Sequence, residues 1–213
     1  MAADPTVFLV DDDPSARKSF QFLLESAGLR VESYKSALEF LEHYDTSKPG
    51  CLVLDVRMPR MSGLELQQRL LAAKISVPII FVSGHADVAI ASQAFRAGAF
   101  DFVEKPIDDQ ELLQRIQQAI AKDARWRDLQ QRSAEIRSRM RSLTPREREV
   151  FESLVRGKAI KQVAAQFRVS VQTAAKHRSR VLDKMSVANE VELVYLVDAL
   201  KAAGEWPTPN QQD

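Results

Sequence analysis

The chain has one cysteine, Cys51, so no disulfide can form within it, which fits a reducing cytosol. No apolar run is long enough to span a bilayer. The first apolar run, Val7-Phe8-Leu9-Val10, has no basic segment before it and stops at three aspartates, unlike a signal peptide. Glycine and proline are missing from residues 121–142, which removes turn signals there. Strand candidates are missing after Leu143. These absences predict a soluble cytoplasmic protein in two parts, with no membrane partner.

What is present is ordinary in bulk: 213 residues, 45% hydrophobic and 28% charged, enough for two modest domains. The net charge of +1 hides an asymmetry. Up to Ile120 there are 12 Lys and Arg against 17 Asp and Glu, and the remainder holds 18 against 12. The basic excess lies between Ala121 and Ala188. An acidic module joined to a nucleic-acid-binding one has this pattern, and so does an unevenly charged surface.

Short apolar runs alternate with amphipathic segments over the first 120 residues. Strands are expected at Thr6–Val10, Arg30–Tyr34, Cys51–Val56, Val77–Val82 and Phe100–Val103. Helices are expected at Pro14–Ala27, Ala37–Tyr44, Gly63–Ala73 and Asp87–Ala97, with a last one from Asp108. Five strands alternating with five helices predict a doubly wound parallel sheet covered on both faces. Ligands bind such sheets beyond the carboxyl ends of the strands, at the switch in strand order.

At those ends lie Asp11–Asp13, Asp55–Met58, Ser83–His85 and Lys105–Pro106. Carboxylates from Asp11, Asp12 and Asp55 would repel one another until a cation joins them. Mg²⁺ suits such oxygen ligands, Lys105 adds a second positive charge and Ser83 a hydroxyl. With one carboxylate as nucleophile, this is a phosphoryl-transfer site. Asp13, just before Pro14, is expected to cap the first helix.

The runs Val10-Asp11-Asp12, Leu54-Asp55-Val56-Arg57-Met58-Pro59, Ser83-Gly84-His85 and Glu104-Lys105-Pro106 resemble the signature of response-regulator receiver domains, in order over residues 5–120. The resemblance implies that Asp55 accepts a phosphoryl group from a sensor histidine kinase. It implies Mg²⁺ bound by Asp12, Asp55 and the carbonyl of Arg57, with Asp11 acting through water. Ser83 is implied as the switch hydroxyl, Phe102 as the coupled aromatic and Lys105–Pro106 as a cis peptide. A face carrying Val88, Ala91, Phe95 and Phe102 would then change shape and dimerise. Core packing is the other reading of the two phenylalanines.

Residues 121–142 read as a helical linker. Leu129, Ile136, Met140 and Leu143 recur at roughly heptad spacing, which suits either pairing with a second copy or one solvated helix extending the preceding one. The segment 143–204 reads as a small all-α domain, with helices at Pro145–Val155, Ile160–Phe167, from Ser170 to Met185, and Asn189–Ala203. Thr144, Pro145 and Glu147 form a capping box. The tail 205–213 is expected to be disordered.

The second and third of these helices are joined around Arg168-Val169, a helix-turn-helix layout. On the third, Gln172, Lys176 and Ser179 are expected near base edges. Lys161, Thr173, His177, Arg180 and Lys184 are candidates for phosphate contacts. From Ser142 to Leu200 the segment resembles LuxR/FixJ/NarL-type output domains, and the two parts together resemble the FixJ branch. The resemblance implies a homodimer on an inverted repeat in promoter DNA. Two departures stand out: Ala174-Ala175 where the family carries Val-Lys, and Ala159-Ile160 where it carries Ser-Asn. Moving a side chain one place along a helix turns it by about 100°.

Two other readings stay open. Aspartyl-phosphate phosphatases on related sheets carry a second Asp two residues after the nucleophile, a position filled here by Arg57. A constitutive DNA binder could keep the receiver only as an interaction module.

Overall fold

The structure is a computed structural model, and it describes residues 4–84 and 88–202. Two compact units divide between Asp128 and Leu129. In the first, strands β1 (Thr6–Val10), β2 (Arg30–Tyr34), β3 (Gly50–Asp55), β4 (Ile79–Ser83) and β5 (Asp101–Glu104) alternate with helices α1 (Pro14–Ser26), α2 (Ala37–His43), α3 (Gly63–Ala72), α4 (Val88–Arg96) and α5 (Asp109–Arg141). All strand pairs are parallel, in the order β2-β1-β3-β4-β5. The order reverses between β1 and β3, which puts the switch point beside Asp11 and Asp55.

Each central strand is apolar on both faces, as burial between two helical layers requires. Phe8, Val10, Leu52, Leu54 and Phe81 pack with Phe40, Leu66, Leu70 and Ala94 on one side. Val7, Leu9, Val53, Ile80 and Val82 pack with Leu24, Leu112 and Ile116 on the other. The alternation along β1 and β3 assigns α1 and α5 to one face and α2, α3 and α4 to the other.

Some boundaries differ from the sequence reading for local reasons. β3 begins at Gly50, where a Cβ would fall 1.8 Å from the Thr6 carbonyl oxygen, so only glycine pairs there. β4 starts after Pro78, which has no N–H for the ladder; its carbonyl still accepts from Leu52 N at 2.9 Å. The expected first residue of α4, Asp87, lies outside the described residues, as do His85 and the tail 205–213.

Residues 121–142, read as a helical linker, are helical through Arg141. They continue α5, and the first unit keeps hold of it past Ile120. The buried Asp123 carboxylate accepts from Gly50 N at 2.8 Å and from Arg127 Nε at 2.7 Å. The Arg127 guanidinium in turn donates to the carbonyls of Thr46, Ser47 and Lys48.

The second unit contains the end of α5, then α6 (Pro145–Val155), α7 (Ile160–Phe167), α8 (Val171–Met185) and α9 (Glu190–Ala202). Ile136, Met140 and Leu143 pack into its core with Val150, Phe151, Val163, Val181 and Leu193. Three of the four heptad residues are thus used within this unit. Leu129 alone remains well exposed, at 61%.

Candidate functional site

The pocket at the switch point assembles from four strand ends. Asp11 follows β1 and is 3% exposed, whereas Asp12 beside it is exposed. Asp13 caps α1 by accepting from Ser15 N at 2.8 Å, and its own amide donates to Asp11 Oδ1 at 2.9 Å. Asp55 closes β3, with Oδ2 accepting from Arg57 N at 2.7 Å. Gly63, the first residue of α3, donates to the Val56 carbonyl at 3.0 Å. A Cβ at Gly63 would come 2.4 Å from the Asp55 carbonyl oxygen, so glycine is what lets α3 close over this strand end. The capping box of Ser62 and Glu65 starts α3 at that point.

Lys105 follows β5, and its amide donates to the Ser83 carbonyl at 2.8 Å. Its Nζ lies 3.0 Å from Asp11 Oδ2 and 3.2 Å from Asp55 Oδ1. One ammonium therefore bridges the two carboxylates. Ser83 is buried at the end of β4. The Lys105–Pro106 peptide is cis. Phe102 is half-buried, its ring centroid 6.2 Å from that of Phe81.

Burial pushes the Asp55 carboxyl above its ordinary range, and the neighbouring Asp11 charge adds to this; the Lys105 charge and the Arg57 amide pull the other way without winning. For Lys105, burial alone would lower the ammonium. Its hydrogen bond and charge attraction to Asp11, then to Asp55, outweigh burial and raise it. Burial thus works against the charged form at both residues, and only at Lys105 do the partners outweigh it.

Among the described residues, no three His, Cys, Asp or Glu side chains group as a ready-made metal site. The donor chemistry at the strand ends nevertheless suits a hard cation. It consists of the Asp11, Asp12 and Asp55 carboxylates and the Arg57 carbonyl, all oxygen. The Asp11–Asp55 pair already draws one cationic group, the Lys105 ammonium, between its oxygens.

Two residues near the pocket escaped the sequence reading. The Arg17 guanidinium donates to the Asp11 carbonyl at 2.6 Å, and the Phe20 ring lies 5.5 Å from Lys105 Nζ. Both lie on α1 three residues apart, so they share a face toward the strand ends. That spacing was the available signal. Val88 and Phe95 are exposed on α4, while Ala91 is half-buried.

In the second unit α7 and α8 meet at Arg168, which takes a left-handed conformation (φ 54°). Arg146 on α6 braces this turn. It donates to the Phe167 carbonyl at 3.0 Å and stacks over the Phe167 ring at 4.2 Å. Ala174, Val181, Leu182 and Met185 turn α8 inward. Gln172, Thr173, Lys176, Ser179 and Arg180 are exposed on its other side, with Lys161 exposed on α7. His177 is half-buried, and its Nδ1 is enclosed.

Lys184 stands apart from the other phosphate candidates. Its Nζ lies 2.6 Å from Glu147 Oε2 and 2.9 Å from the Ser142 carbonyl. The ammonium thereby binds the capping box at the start of α6, an internal partner that the basic count alone could not reveal. Glu147 is held down to about 2 by the Lys184 hydrogen bond first and the Thr144 amide second. Among the described residues, no helix is long and apolar enough to cross a membrane.

A parallel sheet with an acidic site at its switch point, joined to a helix-turn-helix domain, defines a phosphorylation-controlled DNA-binding regulator. Residues 7–117 match the response regulator receiver domain family. Residues 141–197 match the bacterial regulatory proteins of the luxR family. The chain is 38% identical to the response regulator protein TodT of Pseudomonas putida over 92% of this chain and 86% of that one. It is 39% identical to the transcriptional regulatory protein FixJ of Azorhizobium caulinodans, over 88% and 89%. Among solved structures, the response regulator StyR superposes with a TM-score of 0.87 at 40% identity, covering 92% of this chain and 99% of that one.

The chain belongs to the two-component response regulators, in the FixJ-like branch with a LuxR-type DNA-binding domain.

Proposed function

We propose that Asp55 is the phosphoacceptor, that a sensor histidine kinase supplies the phosphoryl group, and that in the cytoplasm the modified chain dimerises and binds an inverted repeat in promoter DNA. The observation that carries this reading is the Lys105 ammonium lying between Asp11 and Asp55 at the switch point.

An Asp55 carboxylate oxygen attacks phosphorus, and the phosphoryl group leaves its donor nitrogen to form an acyl phosphate. Mg²⁺, held by Asp11, Asp12, Asp55 and the Arg57 carbonyl, would neutralise charge on the phosphoryl oxygens when bound. Lys105 gives up its contact with the Asp55 oxygen and pairs with a phosphoryl oxygen. The Ser83 hydroxyl donates to another, and Phe102 follows into the space behind it. The face of α4 and β5 changes shape, and a second copy pairs there. Arg57 occupies the place where a phosphatase would carry its acid–base aspartate, so Asp55 stores the group and does not turn it over.

On DNA, α8 enters the major groove with Gln172, Lys176 and Ser179 toward base edges. Lys161, Thr173, His177 and Arg180 lie toward phosphates; Lys184 stays with Glu147.

The test treats the full chain with acetyl phosphate and Mg²⁺, with Asp55→Asn as control, and measures promoter-fragment binding and mass by light scattering. Phosphate-dependent dimerisation and DNA affinity, both absent in Asp55→Asn, are expected. DNA binding unchanged in Asp55→Asn would favour a constitutive binder, and rapid catalytic release of phosphate would favour an enzyme.

A further inference from the structure

The two ends of α4 differ in burial. At the C-terminal end Ala94 is fully buried, and Ala99 N donates back to the Ala94 carbonyl at 3.0 Å in a glycine-capped turn at Gly98. At the N-terminal end Val88 is 84% exposed and Ala89 is exposed. That exposed end follows Ser83 by only five residues.

Gln67 meets the buried end. It lies on α3 and is 1% exposed, a rare burial for an amide side chain. Its Nε2 donates to the Ala94 carbonyl at 3.0 Å and to the Ala97 carbonyl at 3.2 Å. The end of a helix leaves its last carbonyls without intrahelical partners; Gln67 supplies a donor to the Ala97 carbonyl from the neighbouring helix and a second donor to the Ala94 carbonyl, which Ala99 N also meets. The oxygen of the same amide is buried and meets no protein donor. Burying an unmatched acceptor costs stability, so the side chain is kept in place for its N–H groups.

We infer that Gln67 is the pivot of α4: it pins the C-terminal end of the helix to α3 in both phosphorylation states, so that a movement at Ser83 swings the N-terminal end alone. The inference rests on the proposed switch at Asp55 and names the residue that gives it a single outcome. A helix fixed at one end has one way to answer a pull at the other. Without the pin, α4 shifts or frays in several ways, and the arrangement that pairs with a second copy is only one of them. Apparent affinity then falls by the fraction of chains in that arrangement. Gln67 touches neither the phosphoryl group nor the partner copy, so it is a positioning residue.

Hydrogen exchange on the full chain, with and without acetyl phosphate and Mg²⁺, reads both ends of α4. Phosphorylation is expected to change protection in the first turn from Val88 and to leave the amides of Ala97, Gly98 and Ala99 unchanged. Gln67→Met keeps the side-chain volume and removes both donors. In that variant the change is expected to spread through Gly98. Dimerisation of the phosphorylated chain is expected to weaken by about tenfold, as for loss of two ordinary hydrogen bonds, with the unphosphorylated chain still monomeric.

Equal changes at both ends in the wild-type protein would overturn the inference, and this result does not depend on the variant folding. So would a Gln67→Met chain that melts earlier yet dimerises on phosphorylation as well as wild type. A wild-type chain that takes no phosphate, or that dimerises without it, overturns the Asp55 switch itself and is thus told apart from failure of the pivot alone.

Discussion

Each domain sets a lysine against a carboxylate, and the two pairs are built differently. In the receiver, Lys105 divides itself between Asp11 and Asp55, and burial still pushes the Asp55 carboxyl up. In the DNA-binding domain, Lys184 meets Glu147 at 2.6 Å, the Thr144 amide adds a second hydrogen bond, and the Glu147 carboxyl falls to about 2. One carboxylate shares its ammonium with a second acid and is disfavoured by burial. The other has its ammonium to itself. Reactivity and rigidity come from the same residue types, and the difference lies in burial and in the second carboxylate, Asp11, that shares the ammonium with Asp55.

The sharpest way to break this comparison is at Glu147. Glu147→Ala removes the capping box, leaves the Thr144 amide without its acceptor and takes one partner from a half-exposed Lys184 that keeps the Ser142 carbonyl, a loss of about 2–3 kcal/mol. The second domain is expected to melt at a lower temperature while the receiver keeps its own transition, as followed by circular dichroism and hydrogen exchange. The same pair sets a pH window. The Glu147 carboxyl is lower in the folded chain than its ordinary 4.5, so its contribution is complete above that value and fades as pH falls from about 4.5 toward about 2. Acid titration of the second domain should show this loss, and Lys184→Met should narrow it.

Lys105→Met has the next largest effect, because it leaves two carboxylates facing each other without the intervening ammonium. A receiver stability loss of about 2 kcal/mol is expected, smaller than for a fully enclosed pair. Adding Asp55→Asn should restore part of it, and Mg²⁺ should raise the melting temperature more in Lys105→Met than in wild type. A melting temperature indifferent to all three changes would remove the tension assigned to Asp55.

The smallest expected effect is on DNA. Lys176→Ala should weaken binding by roughly 1 kcal/mol and, if it meets phosphate and not bases, lower the salt slope by about 1 on every sequence. Gln172→Ala should instead relax the preference at one base pair. Binding titrations across salt concentrations and variant sites distinguish the two.

Much of the receiver was legible because its site sits at strand ends, where an apolar run stops and a charged residue begins. Asp11, Asp55, Ser83 and Lys105 could each be placed by that rule. What the rule could not reach were contacts made across the fold. Gln67 looks like one more polar residue on a helix, and nothing local says that it meets Ala94 and Ala97. Asp123 and Arg127 read as linker charge, yet they close on Gly50 and the Thr46–Lys48 carbonyls. Ile136, Met140 and Leu143 carried a heptad spacing, and the spacing was real, but the partner is the second domain's own core. Periodicity reports which face of a helix is apolar and is silent on what covers it.

The central claim is that Asp55 carries the phosphoryl group. Treating the full chain with acetyl phosphate and Mg²⁺ and mapping the acyl phosphate by mass spectrometry tests it directly. The account predicts one modified peptide, the one containing Asp55, and none in Asp55→Asn. Label at Asp11 or Asp12, or equal label in Asp55→Asn, would contradict it.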